Sequence, residues 1–437
     1  MKEWGLKETA FVIFGSSGNL ASTSLIPALE KEESRSRVRR RISIVGVDVK
    51  PPTRLPHGVP FRFVRGDFLK ASTFGKLAAT LRDIGSPSEI ALIFYLATRP
   101  ELYRTIVDGI GEEGLNHGGP VETRIALEKP FGLDGRSCRT LQKGLDRSFE
   151  ESQVYRVDHF LENSAVQGFG SFLSEQGLES LWNRDYIGQV WIRADERTGV
   201  DGRGEFYDSV GVVRDMVQNH LLQLLCTVAV APASVRPPPG DSKSAKIELL
   251  ESARKVRPRD FVLGQYSTYR EVTGVGRRSA TPTFFQGELK IDNEHWKGVP
   301  FMLRTGKKLA RDLTEIAVSF KKEHVKTFGD SKTTWDRIRL RLDRPEHVEF
   351  LRRGGRSVGV VAAIPQGKPG VTAHDRLVRD LIIGNRTPFV ERGFNELAWK
   401  ILKAPLEEGD MPKHGIETYG DGTEGPRALE ILDGQDA

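Results

Sequence analysis

The first third of the chain alternates short apolar segments with segments of helical periodicity. Four runs rich in apolar or β-branched residues predict buried strands: FVIF (11–14), ISIVGV (42–47), IALIFYLA (90–97) and TRIALE (123–128). Between them lie the helical patterns LASTSLIPALEKE, TFGKLAATLRD and ELYRTIVDGIGEEG. Strands that alternate with helices predict crossover connections, and therefore an α/β domain with a parallel sheet.

Beyond about residue 160 the pattern changes to alternating apolar and polar positions, as in half-buried antiparallel strands. The clearest examples are QVWIRADE (189–196), FFQGELKID (284–292), EIAVSFK (315–321) and RIRLRLD (337–343). Helical patterns interrupt them around 214–230 and 374–385. We therefore predict a second, α+β domain with a large, mostly antiparallel sheet and helices against one face. The predicted domains are residues 1–157 and 158–437.

Composition and charge exclude several classes of protein. The hydrophobic content of 38% and charged content of 28% are ordinary for a soluble globular protein. The net charge of +6 is too small to indicate a nucleic-acid partner, and the basic run RSRVRRR (35–41) is interpreted as a solvated turn. The most apolar stretch, LLQLLCTVAVAPA (221–233), is too short to span a bilayer. Neither nucleic acid nor membrane is expected as a partner.

The cysteines and the first residues bear on the compartment. Cys138 and Cys226 are the only cysteines, and they form neither a disulfide framework nor a zinc-binding spacing. The first ten residues, MKEWGLKETA, lack the apolar core of a signal peptide. We expect a cytoplasmic protein without a metal site.

A glycine-containing loop, GSSGNLA (15–21), follows the first predicted strand and opens the first helix. Gly15 would make the tight turn, and Gly18 would let the backbone approach a pyrophosphate at the helix N-terminus. The loop departs from the G-x-G-x-x-G pattern, and a simple strand-to-helix turn is the alternative interpretation. Its position at the first crossover favours a Rossmann-like dinucleotide-binding domain.

Asp48 ends the second predicted strand, where such domains read the ribose of the dinucleotide. An acidic residue there binds the 2′-hydroxyl of NAD, whereas an arginine binds the 2′-phosphate of NADP. Asp48 therefore favours NAD, although Lys50 and Arg54 lie just beyond it and could restore NADP binding. Alternatively, Asp48 is only a turn residue.

Several motifs in order together resemble the glucose-6-phosphate dehydrogenase family. They are GSSGNLA, LEKPFG (127–132), RVDHFL (156–161), GRGEFYDSVGVVRDMVQNHLLQ (202–223), TPTFF (281–285) and GVPFMLRTGKKL (298–309). The resemblance runs from about residue 11 to 320 and resumes more weakly at HDRLVRDLIIG (374–384) and NELAWKIL (395–402). It implies an enzyme that oxidises the C1 hydroxyl of a hexopyranose to a 1,5-lactone, with hydride transfer to NAD or NADP.

The resemblance also implies roles for individual residues. His220 matches the general base, Asp158 the carboxylate that orients it, and Lys129 a lysine near nicotinamide and substrate. Without the resemblance, His220 on its apolar helix would be interpreted as a core histidine. The implied cofactor contacts are Gly15, Ser17, Gly18, Asn19, Leu20, Asp48, Ala97 and Lys129. The implied sugar contacts are His159, Phe160, Glu162, Asn163, Glu196, Asp215, His220, Lys307 and Arg311.

The chain departs from the family pattern where the 6-phosphate is held. The pattern R-x-D-H-Y-L-G-K becomes RVDHFLEN at 156–163, so that Phe160, Glu162 and Asn163 replace tyrosine, glycine and lysine. The resemblance assigns the phosphate grip to the histidine, tyrosine and lysine. Glu162 adds a negative charge and would pair with an ammonium group, while Arg311 would compensate in part for the lost cation.

Other departures from the family pattern concern the cofactor-binding residues and one wall of the substrate pocket. Asn19 replaces the family's aspartate in the glycine loop, and Asp48-Val49 replaces a cation typical of NADP readers. Residues 344–370 lack the usual Gln-Pro strand motif.

Three hypotheses follow. The first is an NAD-linked dehydrogenase of a hexose without the 6-phosphate, either glucose or an amino-glucose. The second is an ordinary NADP-linked glucose-6-phosphate dehydrogenase that holds the phosphate through His159, Lys307 and Arg311. The third is a non-catalytic paralogue that binds or regulates a dehydrogenase, against which the persistence of Lys129, Asp158, Asp215 and His220 argues. Because family members pair through the large sheet, the resemblance also implies a homodimer or homotetramer.

Overall fold

The chain forms two compact units in a computed structural model. The first unit comprises Met1–Glu162 and Lys368–Arg392, and the second comprises Asn163–Gly367 and Gly393–Ala437. The structure describes residues 8–35, 41–85, 90–116, 123–230, 244–324, 326–327, 334–343, 346–352, 356–361, 370–406 and 415–426. Most of the basic run at 35–41 lies outside these residues, as do residues 344–345, 353–355 and 362–369 of the segment 344–370.

A parallel sheet forms the centre of the first unit. In the described residues its strands are β1 (Glu8–Phe14), β2 (Ile42–Asp48), β3 (Phe61–Arg65), β4 (Ile90–Leu96), β5 (Thr123–Leu127) and β6 (Val154–Arg156). The spatial order β3-β2-β1-β4-β5-β6 reverses between β1 and β4, which is where doubly wound folds bind their ligands. The predicted Rossmann-like domain is confirmed. β3 and β6 were not predicted, because FRFVR carries two arginines and VYR has only three residues.

Helices cover the parallel sheet. A π-helical turn, Ala21–Leu25, leads into α1 (Ile26–Arg35), followed along the chain by α2 (Ala71–Arg82), α3 (Tyr103–Glu112) and α4 (Gly135–Ser148). Residues 20–32, 73–83 and 101–114 were predicted to be helical, and each overlaps one of these helices. The sequence pattern did not distinguish the π-helical turn from α-helix.

A large mixed sheet forms the centre of the second unit. Its strands are β7 (Ile187–Asp195), β8 (Phe261–Tyr266), β9 (Phe284–Lys290), β10 (Pro300–Gly306), β11 (Leu313–Phe320), β14 (Arg337–Arg341), β15 (His347–Arg352), β16 (Arg356–Val361) and β17 (Ile416–Tyr419), while β12 (Lys326–Thr327) pairs separately with β13 (Thr334–Trp335). The order is β16-β15-β14-β11-β7-β10-β9-β8-β17. β7–β10 and β8–β17 are parallel and the other neighbouring pairs are antiparallel. The predicted mostly antiparallel sheet is confirmed.

In the described residues after 162 the helices are α5 (Ser164–Glu175), α6 (Gly204–Val212), a π-helix (Val213–Leu221), α7 (Leu222–Ala229), α8 (Ala245–Glu251), α9 (Ala373–Ile383), α10 (Phe394–Ile401) and α11 (Lys403–Leu406). Short 3₁₀ turns lie at Pro100–Leu102, Glu151–Gln153, Glu179–Leu181, Pro258–Asp260, Tyr269–Glu271 and Lys322–His324. In the part of the chain that the structure describes, no helix is both long enough and apolar enough to cross a membrane.

The helix α9 packs in the first unit, although the sequence interpretation placed it in a contiguous second domain from 158 to 437. Leu377, Val378 and Leu381 are buried in the same core as α1 and β1. Arg124 of β5 donates from Nη1 to the carbonyls of Leu381 (2.6 Å) and Ile382 (3.0 Å), which caps the end of α9. Helical periodicity identifies the apolar face of α9 but not the surface that covers it, and the prediction differs from the structure for that reason.

Candidate functional site

The glycine loop presents bare backbone at the carboxyl end of β1. Gly15 has a φ of +86° and donates its N–H to Val47 O at 3.0 Å. A Cβ added to Gly15 would lie 2.5 Å from the carbonyl oxygen of Ala97, which directly follows β4. Any other residue would therefore be strained in conformation and blocked by backbone. Because this narrow gap lies at the switch between β1 and β4, the loop fits the pyrophosphate of a dinucleotide.

The residues after Gly15 lead directly into the helical segment that begins at Ala21. Gly18 donates to Gly15 O at 3.1 Å, and the carbonyl of Asn19 accepts from the hydroxyls of Ser22 (3.0 Å) and Thr23 (2.8 Å). Asn19 is exposed, whereas Leu20 packs against the core of the first unit.

The carboxylate of Asp48 is hydrogen-bonded to this loop. One oxygen accepts from Ser17 N (3.0 Å) and Ser17 Oγ (2.7 Å), and the other accepts from Val49 N (2.7 Å). The residue is only 8% exposed. Asp48 therefore anchors the glycine loop to the end of β2. Its acidity alone does not indicate NAD.

The LEKPFG segment begins at the last residue of β5 and places the half-buried Glu128 beside Tyr95 of β4. The hydroxyl of Tyr95 donates to the carboxylate of Glu128, and Tyr95 is completely buried. Burial raises the pKa of Glu128, the nearby Asp158 raises it further, and Tyr95 and Lys129 oppose this. The Lys129–Pro130 peptide is cis. Glu128 was not among the predicted site residues, although it lies inside the LEKPFG motif.

Asp158 and His159 lie in a tight turn after β6. Asp158 is 2% exposed and its Oδ1 accepts from Phe160 N at 3.0 Å. His159 is exposed, and its ring centroid lies 5.1 Å from that of Phe160. The first unit therefore separates these neighbours into a buried carboxylate and an accessible imidazole.

Glu162 has a different environment from the one predicted. Its side chain is 0% exposed, and within the described residues neither carboxylate oxygen has a hydrogen-bond partner. Arg376 of α9 approaches the carboxylate to 4.0 Å and donates to the Glu162 carbonyl at 2.7 Å. Burial raises the pKa of Glu162 to about 8, Asp380 adds to this, and Arg376 opposes it. A buried carboxylate next to an arginine does not present a free charge to an amino-sugar, which corrects that prediction.

Asn163 is the N-cap of α5. Its Oδ1 accepts from Ala165 N (2.9 Å) and Val166 N (3.3 Å). Its Nδ2 donates to Leu342 O (3.1 Å) and Glu346 Oε1 (3.2 Å). The amide is therefore fully used in the structure of the second unit. A lysine at this position has no acceptor and could not cap the helix.

The second unit gathers three of the predicted sugar contacts. β7 and β10 are parallel and in register to Asp195 and Gly306, so Glu196 and Lys307 leave the sheet side by side. Lys307 is 2% exposed and forms ion pairs with Glu196 and with Asp215 Oδ2, the latter at 3.2 Å. Its ammonium also lies 5.7 Å from the ring centre of Tyr207. These contacts join Lys307, Glu196 and Asp215 into one charged cluster.

The π-helix carries both Asp215 and His220. In a π-helix the hydrogen bonds run between residues five apart, so positions 215 and 220 lie on adjacent turns of the same side. The side chain of Asn219 bridges this turn. It accepts from His220 N at 2.6 Å and donates to Arg214 O, five residues earlier, at 2.9 Å. His220 is completely buried. The apolar periodicity of 214–230 did not predict the π-helix or the role of Asn219.

Arg311 is exposed over 58% of its side chain, and its Nη2 lies 3.8 Å from Glu424. The predicted compensation for a lost phosphate cation would therefore have to come from a surface position that already has an acidic neighbour.

Comparison with known proteins identifies relatives along nearly the whole chain. Residues 59–168 match the family described as glucose-6-phosphate dehydrogenase, NAD binding domain, and residues 173–436 match its C-terminal domain. A glucose-6-phosphate 1-dehydrogenase of Mycolicibacterium smegmatis is 32% identical over 95% of this chain and 94% of its own. Glucose-6-phosphate 1-dehydrogenase 6, cytoplasmic, of Arabidopsis thaliana is 31% identical over 99% and 93%.

Solved structures agree with these sequence matches. The crystal structure of glucose-6-phosphate 1-dehydrogenase from Mycobacterium avium superimposes with a TM-score of 0.80 at 30% identity, covering 98% of this chain and 96% of that one. A glucose-6-phosphate dehydrogenase in complex with glucose-6-phosphate has a TM-score of 0.78 at 24% identity, over 98% and 97% of the two chains. At 24% identity, the second structure supports only the assignment of the fold.

Proposed function

Since this chain belongs to the glucose-6-phosphate dehydrogenase family, we propose that it oxidises glucose 6-phosphate at C1 to the 1,5-lactone with NADP as cofactor. The observation that carries the proposal is the placement of the two charge-changing substitutions. Glu162 is buried beside Arg376, and Asn163 caps α5. Both residues therefore have structural roles within their units, and neither argues for a sugar with an ammonium group.

The chemistry needs a base for the C1 hydroxyl proton. We assign this role to His220, because an imidazole exchanges protons near neutral pH, and we assign the orienting carboxylate to Asp158. When NADP is bound, its nicotinamide supplies the acceptor for the hydride that leaves C1. Gly15, Gly18 and the backbone at Ala97 would hold its pyrophosphate, and Lys129 follows the strand end next to them.

The Lys307 cluster fits the binding of sugar hydroxyls. Glu196 and Asp215 offer carboxylate oxygens as acceptors, while Lys307 holds both acids in place and offers donors of its own. For the 6-phosphate, the exposed His159 is the family residue that remains. The missing tyrosine hydroxyl and lysine ammonium predict weaker binding, since a hydrogen bond to a charged group contributes roughly 1.5–3 kcal/mol.

A second candidate function is the NAD-linked oxidation of an unphosphorylated hexose. The observation in its favour is Phe160, which replaces the tyrosine of the family pattern and offers no hydroxyl to a phosphate. Glu162 no longer adds to this argument because of its burial.

An absorbance assay for reduced nicotinamide distinguishes these functions. NAD and NADP are each combined with glucose, glucose 6-phosphate and 6-amino-6-deoxyglucose. We expect the highest kcat/KM with NADP and glucose 6-phosphate. We expect His220→Asn to lower kcat by a factor on the order of 100 or more, whereas His57→Asn, at an exposed histidine, leaves it unchanged. Higher kcat/KM with NAD and glucose would reject the proposal in favour of the second candidate. Activity retained in His220→Asn would reject the assigned base.

A further inference from the structure

An arginine on β3 lies directly beside the end of β2. β2 and β3 are parallel, and Asp48 and Arg65 are register partners in the last position of both strands. The side chain of Arg65 reaches across this end, where its Nε donates to Val49 O at 3.2 Å. Gly66 N continues the pairing with a bond of 3.0 Å to Asp48 O. The guanidinium is thereby held at the exit of β2.

This location is where dinucleotide-binding folds place the adenosine ribose. Such folds read the 2′ position around the end of β2, where this chain has Asp48 and the uncharged Val49. Asp48 does not close the site to a phosphate, because three hydrogen bonds from Ser17 and Val49 already stabilise its negative charge. Arg65 then adds a positive charge beside it.

Two other arginines near this edge are paired elsewhere or lie at a different end. Arg54 forms an ion pair with Glu30 at 2.6 Å. Arg62 lies towards the opposite end of β3, where it is 3.6 Å from Asp83. Arg65 is exposed, and in the described residues its terminal Nη nitrogens have no hydrogen-bond acceptor. Lys50, two residues after Asp48, is also exposed.

We infer that Arg65 binds the 2′-phosphate of NADP and is the residue that makes this chain prefer NADP to NAD. The inference rests on the proposed function, which requires a dinucleotide in the first unit. A guanidinium with its Nε fixed and both Nη groups available suits this task, because it can donate two parallel hydrogen bonds to phosphate oxygens. The neighbouring strand thus supplies the cation that the position after β2 lacks.

Isothermal titration of the full chain without sugar tests this assignment. The ligands are NADPH, NADH, adenosine 2′,5′-bisphosphate and adenosine 5′-monophosphate. We expect Arg65→Ala to weaken NADPH and the bisphosphate by about 10- to 100-fold, and to change NADH and the monophosphate by less than about twofold. Arg65→Lys should recover part of the loss. The matched control is Arg62→Ala, an exposed arginine on the same strand, which should change none of the four affinities.

Several results would overturn the assignment. Equal losses for NADPH and NADH in Arg65→Ala would make Arg65 structural, and a loss of NADPH preference in Lys50→Ala but not in Arg65→Ala would give the role to Lys50. Wild-type chain that binds no dinucleotide would reject both this inference and the proposed function. A clear NADPH preference that depends on Arg65, in a chain that does not oxidise glucose 6-phosphate, would reject only the proposed substrate.

Discussion

Glu162 stands where the family pattern has glycine, and its burial changes the meaning of the neighbouring motif. As a surface residue it would repel a phosphate and attract an ammonium. As a buried residue beside Arg376 it belongs to the contact between the turn at 158–162 and α9. The substitution therefore bears on the stability of the first unit rather than on the charge presented to a substrate.

The raised pKa of Glu162 predicts a pH-dependent stability. The folded chain holds a proton on Glu162 up to pH about 8, whereas the unfolded chain releases it near the ordinary value of 4.5. The folded state binds more protons in this window, so the free energy of unfolding falls as pH rises through it. We expect Glu162→Gln to be more stable than wild type by about 2 kcal/mol at pH 8, with a smaller difference at pH 5, as measured by urea denaturation. Glu113→Gln, at an exposed site, is the control. A constant difference at both pH values would contradict the assigned titration.

Asn163 explains the loss of the family's lysine in structural terms. We expect Asn163→Ala to lower the free energy of unfolding by about 1–2 kcal/mol, because the α5 cap and the amide bonds are lost. Asn163→Ser keeps a capping oxygen and should recover part of the loss.

Restoring the lysine tests whether this position serves the substrate. We expect Asn163→Lys to destabilise the chain, as measured by urea denaturation, without lowering the KM for glucose 6-phosphate. A KM reduced by about tenfold in Asn163→Lys would show that the position still faces the phosphate, against this explanation.

The π-helix from Val213 to Leu221 determines how Asp215 and His220 are spaced. A regular α-helix places residues five apart on different sides, since its turn has 3.6 residues. The Asn219 side chain holds the wider turn through its bonds to His220 N and Arg214 O. We therefore expect the position of the assigned base to depend on Asn219.

Substitution of Asn219 tests this dependence. We expect Asn219→Leu to lower kcat by about 10- to 100-fold, because the turn loses its bridge and the His220 ring rotates. NADPH affinity, measured by titration, should stay unchanged because the nucleotide loop lies in the other unit. Thr227→Ala removes a side-chain bond to Gln223 O in the following helix and should leave kcat unchanged. An unaltered kcat in Asn219→Leu would show that the π-helix does not need this bridge.

The large sheet bears on the predicted assembly. One face of β11, β14 and β15 is apolar and buried, with Ile316, Ile338 and Val348. On the other face Arg339 forms an ion pair with Glu349 and lies 4.0 Å from Glu315. In these described strands the face opposite the buried one is therefore ionic. An interface on this face would use charge as well as packing.

We therefore expect an assembly that responds to salt. Light scattering after gel filtration should give a multiple of the 48.8 kDa chain mass at low ionic strength, with a lower average mass at high salt, because exposed charge pairs are screened. A mass of one chain at every protein and salt concentration would contradict the predicted homodimer or homotetramer. An unchanged multiple at high salt would argue that apolar packing elsewhere holds the assembly.

Sequence alone determined the features that depend on local pattern. Period-two alternation and apolar runs identified strands such as β1, β4 and β7, because side-chain burial follows directly from strand geometry. The role of Gly15 was also predictable from the sequence. A tight turn packed closely against neighbouring backbone leaves no room for a side chain, and this requirement falls on a single residue. Ordered motifs then indicated the family without any knowledge of contacts.

Only the tertiary structure decided which residues meet across long separations in the chain. Glu162 meets Arg376 across 214 residues, Asp48 meets Ser17 across 31, and α9 returns to pack with α1. A carboxylate such as that of Glu162 can bind a substrate when it is exposed, but it has a structural role when it is buried. Its role therefore depends on which distant segment covers it. An amphipathic pattern indicates that one face of a helix is buried, but it does not identify the surface that covers this face. That surface is determined by packing over the whole chain.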